Sequence, residues 1–274
     1  GCADEDDPYV YTPIYTIPEE IPTDDPNAAG YSVAEVERRE DSPLAAKTIY
    51  WLGSSVTYGS ASGQESMADY LSALTGCKSV KEAVSGTTLY DDGGNGDSGA
   101  RSYTRRMVYG KNFDKSAQVD AFVCQISTND ARNDRLGKWG AMREDDEVVL
   151  DSFDTKTTLG GVEYIISYVT TTWNCPVYFY SGSYFGDSGV RSSTNPTGTN
   201  YGKLVNEVKK IVDKWNGLGY EVGIIDLFND ADFNAAASDD YYKWCTSDAI
   251  HPRKAGYLQW WTPYFEAYLC NELE

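Results

Sequence analysis

The chain has 274 residues, 41% of them hydrophobic, which fits a folded domain with a sizeable core rather than a disordered chain. Its formal charge is −19, and a surface this acidic repels phosphate backbones and excludes nucleic acid as an expected partner. No apolar run is long enough to cross a bilayer. Six cysteines without C-x-x-C spacing and a single histidine argue against a zinc site.

Residues 1–45 read as an extended N-terminal arm or tether, ahead of a domain at 46–274. Proline and acidic residues concentrate in the arm. Within it, residues 32–40 read as a short helix whose Ser32 and Glu35 form a capping box. Gly1-Cys2 followed by Ala3-Asp4-Glu5-Asp6-Asp7-Pro8 resembles the start of a mature bacterial lipoprotein, whose cysteine carries a lipid. That resemblance implies a secreted or surface-anchored protein, in the periplasm or on the outer surface, held at a membrane through Cys2. The plain alternative is a cloning remnant on an ordinary chain end.

From Lys47 onward, strand and helix patterns alternate. Residues 47–53 form a strand ending in a glycine turn, and 66–74 a helix. Strands follow at 78–84 and 121–126, the latter apolar as expected for burial on both faces, with Cys124 a small buried hydrophobe. Leu159, Val162, Ile165, Ile166 and Val169 follow helical spacing, and residues 176–180 are the next strand. Leu204, Val208, Ile211, Val212 and Trp215 mark another helix face, and residues 222–227 the fifth strand. Residues 253–269 close the chain as a helix that Pro263 must start, kink or split. This order predicts an α/β protein, a three-layer α/β/α sandwich with a roughly five-stranded parallel sheet. Residues 91–101 and 182–202 read as loops.

Ligands of open parallel sheets bind beyond the C-terminal strand ends. There the chain places Gly53-Ser54-Ser55, then Ser85-Gly86-Thr87-Thr88, then Ser127-Thr128-Asn129-Asp130. Asp248-Ala249-Ile250-His251-Pro252 precedes the last helix. As the one histidine, His251 must carry any imidazole-dependent chemistry, and Asp248 is placed to accept its N–H. A serine hydroxyl is a poor nucleophile until such a base removes its proton. The plain readings are an exposed His251 opening a helix, a turn glycine at 86 and a helix cap at Asn129.

Taken together and in this order, the four blocks resemble those of the SGNH hydrolase superfamily, the GDSL-type esterases and lipases. The resemblance implies a flavodoxin-like fold and a serine-dependent carboxylic ester hydrolase without metal or cofactor. It assigns Ser55 as nucleophile, His251 as base and Asp248 as the acid that orients it. The implied oxyanion hole comprises the backbone N–H groups of Ser55 and Gly86 and the side-chain amide of Asn129. Two positions depart from the family pattern. Ser54 stands where an aspartate is usual, which should alter loop hydrogen bonds and spare the chemistry. Ser127-Thr128 stand where glycines are common, which should narrow the space near the oxyanion.

No long apolar run marks a lid or acyl tunnel, and Trp139, Tyr184 and Tyr201 fall in or near loops. These features favour a short acyl group, acetyl foremost, carried by a small-molecule or glycan substrate. The alternatives are a lipase or thioesterase of the same superfamily, or a non-catalytic glycan-binding surface lipoprotein. Asp91, Asp92, Asn95 and Asp97 lack EF-hand spacing and read as an acidic loop rather than a calcium site. Arg101, Arg105 and Arg106 read as partners of the protein's own carboxylates, and Trp260 and Trp261 as packing residues. Ser54 and Thr57 read as turn or cap residues.

Overall fold

Five parallel strands form one sheet in the computed structural model, which describes residues 10–93, 101–145 and 150–274. They are β1 (Thr48–Gly53), β2 (Lys78–Ala83), β3 (Ala121–Gln125), β4 (Val177–Ser181) and β5 (Val222–Asp226). Their order is β2-β1-β3-β4-β5, every neighbouring pair being parallel. The chain first runs outward from β1 to β2, then returns to build β3 on the other side. The switch point between β1 and β3 is where this topology opens its ligand crevice.

Helices cover both faces. They are α1 (Ser55–Tyr58), α2 (Met67–Thr75), α3 (Tyr103–Tyr109), α4 (Thr158–Thr172), α5 (Gly198–Gly217), α6 (Ala231–Ala235), α7 (Asp239–Cys245), α8 (Lys254–Gly256) and α9 (Thr262–Leu273). The alternation of side chains along β1 shows how the layers are built. Trp51 points to the α9 layer and meets Phe265, while Tyr50 points the other way and meets Trp173 at the end of α4. β1, β3 and β4 are buried almost throughout. Cys124 is fully buried in β3, Trp260 and Trp261 are core residues, and the five described cysteines are free thiols. No helix of the described residues is long and apolar enough to cross a membrane.

Residues 10–43 lie along the α9 side of the domain. Tyr11 exchanges two hydrogen bonds with the Asn271 side chain, and Thr16 N–H donates to the Gln259 carbonyl at 3.0 Å. Further on, Trp244 Nε1 donates to the Asp24 carbonyl and Tyr70 donates to that of Tyr31. Cys2, Asn95 and Asp97 fall outside the described residues.

Four expectations are corrected. The segment 32–40 holds a single 3-10 turn, Val33–Glu35, preceded by another at Ala29–Tyr31, with no side-chain cap at Ser32. The Ser32 hydroxyl turns back to the Ala29 carbonyl, and the backbone becomes extended at Val36, which ends the turn after Glu35. A real capping box sits instead at α2, between Ser66 and Asp69. The loop after β4 ends earlier than expected: Thr197 Oγ1 accepts from Asn200 N–H and starts α5 at Gly198. Tyr201 therefore lies in α5, where it is buried and donates to the Ile126 carbonyl at 2.8 Å, so it offers no face to a sugar. Finally, the closing helix is three joined pieces reaching Leu273: α8, a π-helical turn at Tyr257–Trp261, and α9, whose first turn holds Pro263.

Candidate active site

β1 is apolar and buried until Gly53, and there the chain must turn sharply. A Cβ at Gly53 would lie 2.0 Å from Thr57 Oγ1 and 2.8 Å from Gln125 Oε1, so only glycine allows α1 to fold back this closely. Gln125, the last residue of β3, braces the turn from beneath. Its Oε1 accepts from Ser54 N–H at 2.9 Å, Thr57 N–H at 3.2 Å and Thr57 Oγ1 at 2.8 Å. Ser54, at the position of the usual aspartate, is buried and accepts from the Tyr103 hydroxyl at 3.0 Å. Ser55 opens α1 with its hydroxyl toward the loop before α8.

That loop carries Asp248 and His251. Ala249 adopts a φ of +69°, which reverses the chain so that the Asp248 side chain faces the residues that follow it. Asp248 Oδ1 accepts from the backbone N–H groups of Ile250 (3.1 Å) and His251 (2.9 Å), and Oδ2 lies 2.7 Å from His251 Nδ1. Burial pushes the Asp248 carboxyl up, but the hydrogen bond and charge of His251 and the two backbone donors outweigh it and hold it at about 2. At neutral pH the carboxylate has no proton to give, so the proton between them belongs to Nδ1. Nε2 of the neutral ring is then an acceptor, and Ser55 Oγ lies 2.7 Å from it.

The other strand ends converge on the same crevice. Gly86, in the loop after β2, has a φ of +81°, a region in which a side chain is strained. The neighbouring Thr87 carbonyl accepts the Asn129 amide at 2.9 Å, which joins this loop to the turn after β3. Asp130 fastens the two from below: its carboxylate accepts from Leu89 N–H (2.9 Å), Tyr90 N–H (3.3 Å) and Thr158 Oγ1 (2.9 Å). Complete burial pushes the Asp130 carboxyl up to about 6 despite these donors. Arg106 adds a second fastening. Buried beside Glu82 (2.6 Å), its guanidinium also donates to the Gly53 carbonyl and to Thr87 Oγ1, both at 2.9 Å. It thus ties the end of β1 to the Gly86 loop.

The structure therefore brings Ser55, His251 and Asp248 into one hydrogen-bonded row, with Gly86 and Asn129 on the two linked loops beyond β2 and β3. The sequence pointed to Arg106 as a carboxylate partner and placed Asp130 beside Asn129, but gave neither a bracing role, and Gln125 was not among the residues it pointed to. Their signal is polarity inside buried elements, which becomes legible only once their partners are known. Arg105 pairs with Asp91 at 2.8 Å and Arg106 with Glu82, so neither faces the crevice as a free cation. Trp139 is half-buried, donating to the Asp130 carbonyl, and Tyr184 is 45% exposed on the loop after β4. A small apolar hole adjoins the row. It is lined in part by Val56, Thr128, Gly182, Ser183 and Ile250, and its free space of about 10 Å³ admits about one water. Among the described residues no cluster of histidine, cysteine or carboxylate side chains is arranged to hold a metal.

No family model and no curated protein matches the sequence. Solved structures do match the fold. A protein from Lactobacillus plantarum aligns with a TM-score of 0.60 at 19% identity, over 84% of this chain and 100% of its own. A carbohydrate acetylesterase family member from Sinorhizobium meliloti aligns at 0.53 and 15%, over 83% and 99%. The aryl esterase of M. smegmatis aligns at 0.52 and 13%, over 84% and 100%. With its sheet order, helical layers and these likenesses, the chain has the SGNH hydrolase fold.

Proposed function

We propose that this protein is a serine esterase in which Ser55, His251 and Asp248 act as a catalytic triad. The observation that carries the reading is the Ser55 Oγ to His251 Nε2 distance of 2.7 Å, with Nδ1 held by an ionised Asp248. Nε2 takes the Ser55 proton as Oγ attacks the ester carbonyl, and the imidazolium formed is stabilised by Asp248. Negative charge develops on the former carbonyl oxygen. The N–H groups of Ser55 and Gly86 and the free amide N–H of Asn129 receive it, each such donor contributing about 3 kcal/mol. The alcohol leaves with the proton from Nε2. Water then attacks the acyl-enzyme with His251 again as base, releasing the acid and free Ser55.

The acyl group in this reading is short, acetyl foremost. Val56 follows the nucleophile, Ile250 precedes the base and Thr128 precedes Asn129, and the hole between them has room for about one methyl-sized group. A carbohydrate alcohol is supported by the fold's likeness to a carbohydrate acetylesterase family member and by the exposed Tyr184. Residues 1–45 act as an arm of the domain, and Cys2 as a lipid anchor of a secreted or surface protein.

Labelling with a fluorophosphonate tests the reading, because only an activated serine reacts. Wild type labels, and folded Ser55→Ala and His251→Ala do not, with kcat lower by several orders of magnitude. Near-normal turnover by Ser55→Ala would overturn the assignment. Across acetyl, butyryl, octanoyl and palmitoyl esters, kcat/KM falls with chain length. A rise beyond butyryl would favour a lipase.

A further inference from the structure

We propose that Asn27 is a positioning residue that holds the His251 segment against the Ser55 segment, making the N-terminal arm part of the catalytic framework. The proposal rests on the esterase reading above. Ser55 opens α1 and His251 stands on the loop before α8, and no sheet hydrogen bond fixes the distance between them. On the buried side Tyr257 bridges the two, its hydroxyl donating to the Val56 carbonyl at 2.6 Å. On the outer side the bridge is the arm.

The half-buried Asn27 donates through Nδ2 to the Ala61 carbonyl at 2.8 Å, in the turn that follows α1. Its Oδ1 accepts from Lys254 N–H at 2.9 Å, three residues beyond His251. A primary amide accepts and donates at once through two separate atoms, which lets it span the two segments. The neighbouring Pro26 is buried and its carbonyl accepts from Ala255 N–H at 2.9 Å. Asn27 N–H is itself fixed on Asp25 Oδ1 at 2.8 Å. Lys254 completes the junction: its Nζ donates to the Ser62 carbonyl at 3.0 Å and pairs with Glu65 at 3.3 Å, while Glu65 accepts from Val33 N–H of the arm at 2.8 Å. Three segments far apart in sequence therefore close one ring of bonds around the back of the Ser55–His251 pair.

Losing alignment by about an ångström costs a reaction of this kind on the order of a hundredfold. In the full chain, Asn27→Ala is expected to lower kcat by about ten- to a hundredfold with KM little changed. The rate of fluorophosphonate labelling should fall by the same factor, since it reads Ser55 activation without acyl or alcohol recognition. Asn27→Asp, which keeps the acceptor for Lys254 and loses the donor to Ala61, should fall between. A merely structural role would lower the melting temperature and leave the labelling rate per folded molecule unchanged. That result, or wild-type kcat in folded Asn27→Ala, overturns the proposal. Should Asn27→Ala not fold, Lys254→Met loosens the same junction from the other side and is read in the same way. A wild-type protein that does not label at all refutes the esterase reading instead, so the two failures are distinct.

Discussion

Asn129 gives one amide hydrogen to the Thr87 carbonyl at 2.9 Å, so the turn after β3 and the loop after β2 are held as one unit. A primary amide has a second hydrogen, and in the proposed reaction this one meets the oxyanion. Asn129→Ala removes both the brace and the donor. Steady-state kinetics should show kcat lower by about two to three orders of magnitude, with a smaller change in KM. A kcat within a fewfold of wild type would place Asn129 outside the oxyanion site.

Asp248→Asn should change the tautomer of His251 more than its position. An asparagine can offer its N–H to Nδ1, which leaves the proton on Nε2 and nothing to accept from Ser55. The expected loss in kcat is about 10⁴-fold with the fold retained. The native carboxyl sits at about 2, below the value of about 4 for an unfolded aspartate. Its stabilising contribution is therefore present above pH 4 and lost as the pH falls toward 2. Denaturation of wild type and variant at several pH values should show their difference shrinking over that window.

Asp130 has the opposite sign. Its buried carboxyl titrates near 6 in the native state against about 4 when unfolded. Between those values the native state holds a proton that the unfolded state has released. Stability consequently falls as pH rises from 4 to 6, by up to about 3 kcal/mol from this group. Asp130→Asn should lose that slope. Comparing slopes rather than absolute stabilities removes the variant's own offset, and identical slopes would refute the assignment.

Ala249 carries its φ of +69° without being glycine. Such a conformation costs about 1–2 kcal/mol for an L-residue, and glycine's greater chain entropy offsets about 0.5–1 kcal/mol of the relief. Ala249→Gly should therefore melt no lower than wild type, with activity retained, because the Asp248 and His251 bonds do not use the Ala249 side chain. A lower melting temperature together with lost activity would mean that the methyl group packs for function.

The sheet was readable because β1, β3 and β4 are buried on both faces and so appear as short apolar runs. Two of the four chemical blocks were readable for a related reason: those at Gly53 and Ser127 begin where such a run ends. Elements governed by distant partners were not. The Ser32–Glu35 pattern suits a capped helix, but the Ser32 hydroxyl bonds back to Ala29 and the chain turns extended at Val36 after a single 3-10 turn. α3 escaped notice because Arg105 and Arg106 interrupt its apolar spacing, and Arg106 is nevertheless buried, neutralised by Glu82. Tyr201 looked like a loop aromatic because glycine and asparagine surround it, yet the Thr197 cap had already begun α5.

Pro263 has one more effect. Lacking an N–H, it cannot occupy the carbonyl one turn back, that of Gln259. In a helix of ordinary residues that oxygen would already be engaged, and a passing strand of chain could claim it only in competition with the helix itself. The imino acid leaves the acceptor vacant, and Thr16 fills it. Docking of the chain's beginning onto its end is thus written partly into a residue that makes no contact with the arm through its own polar atoms.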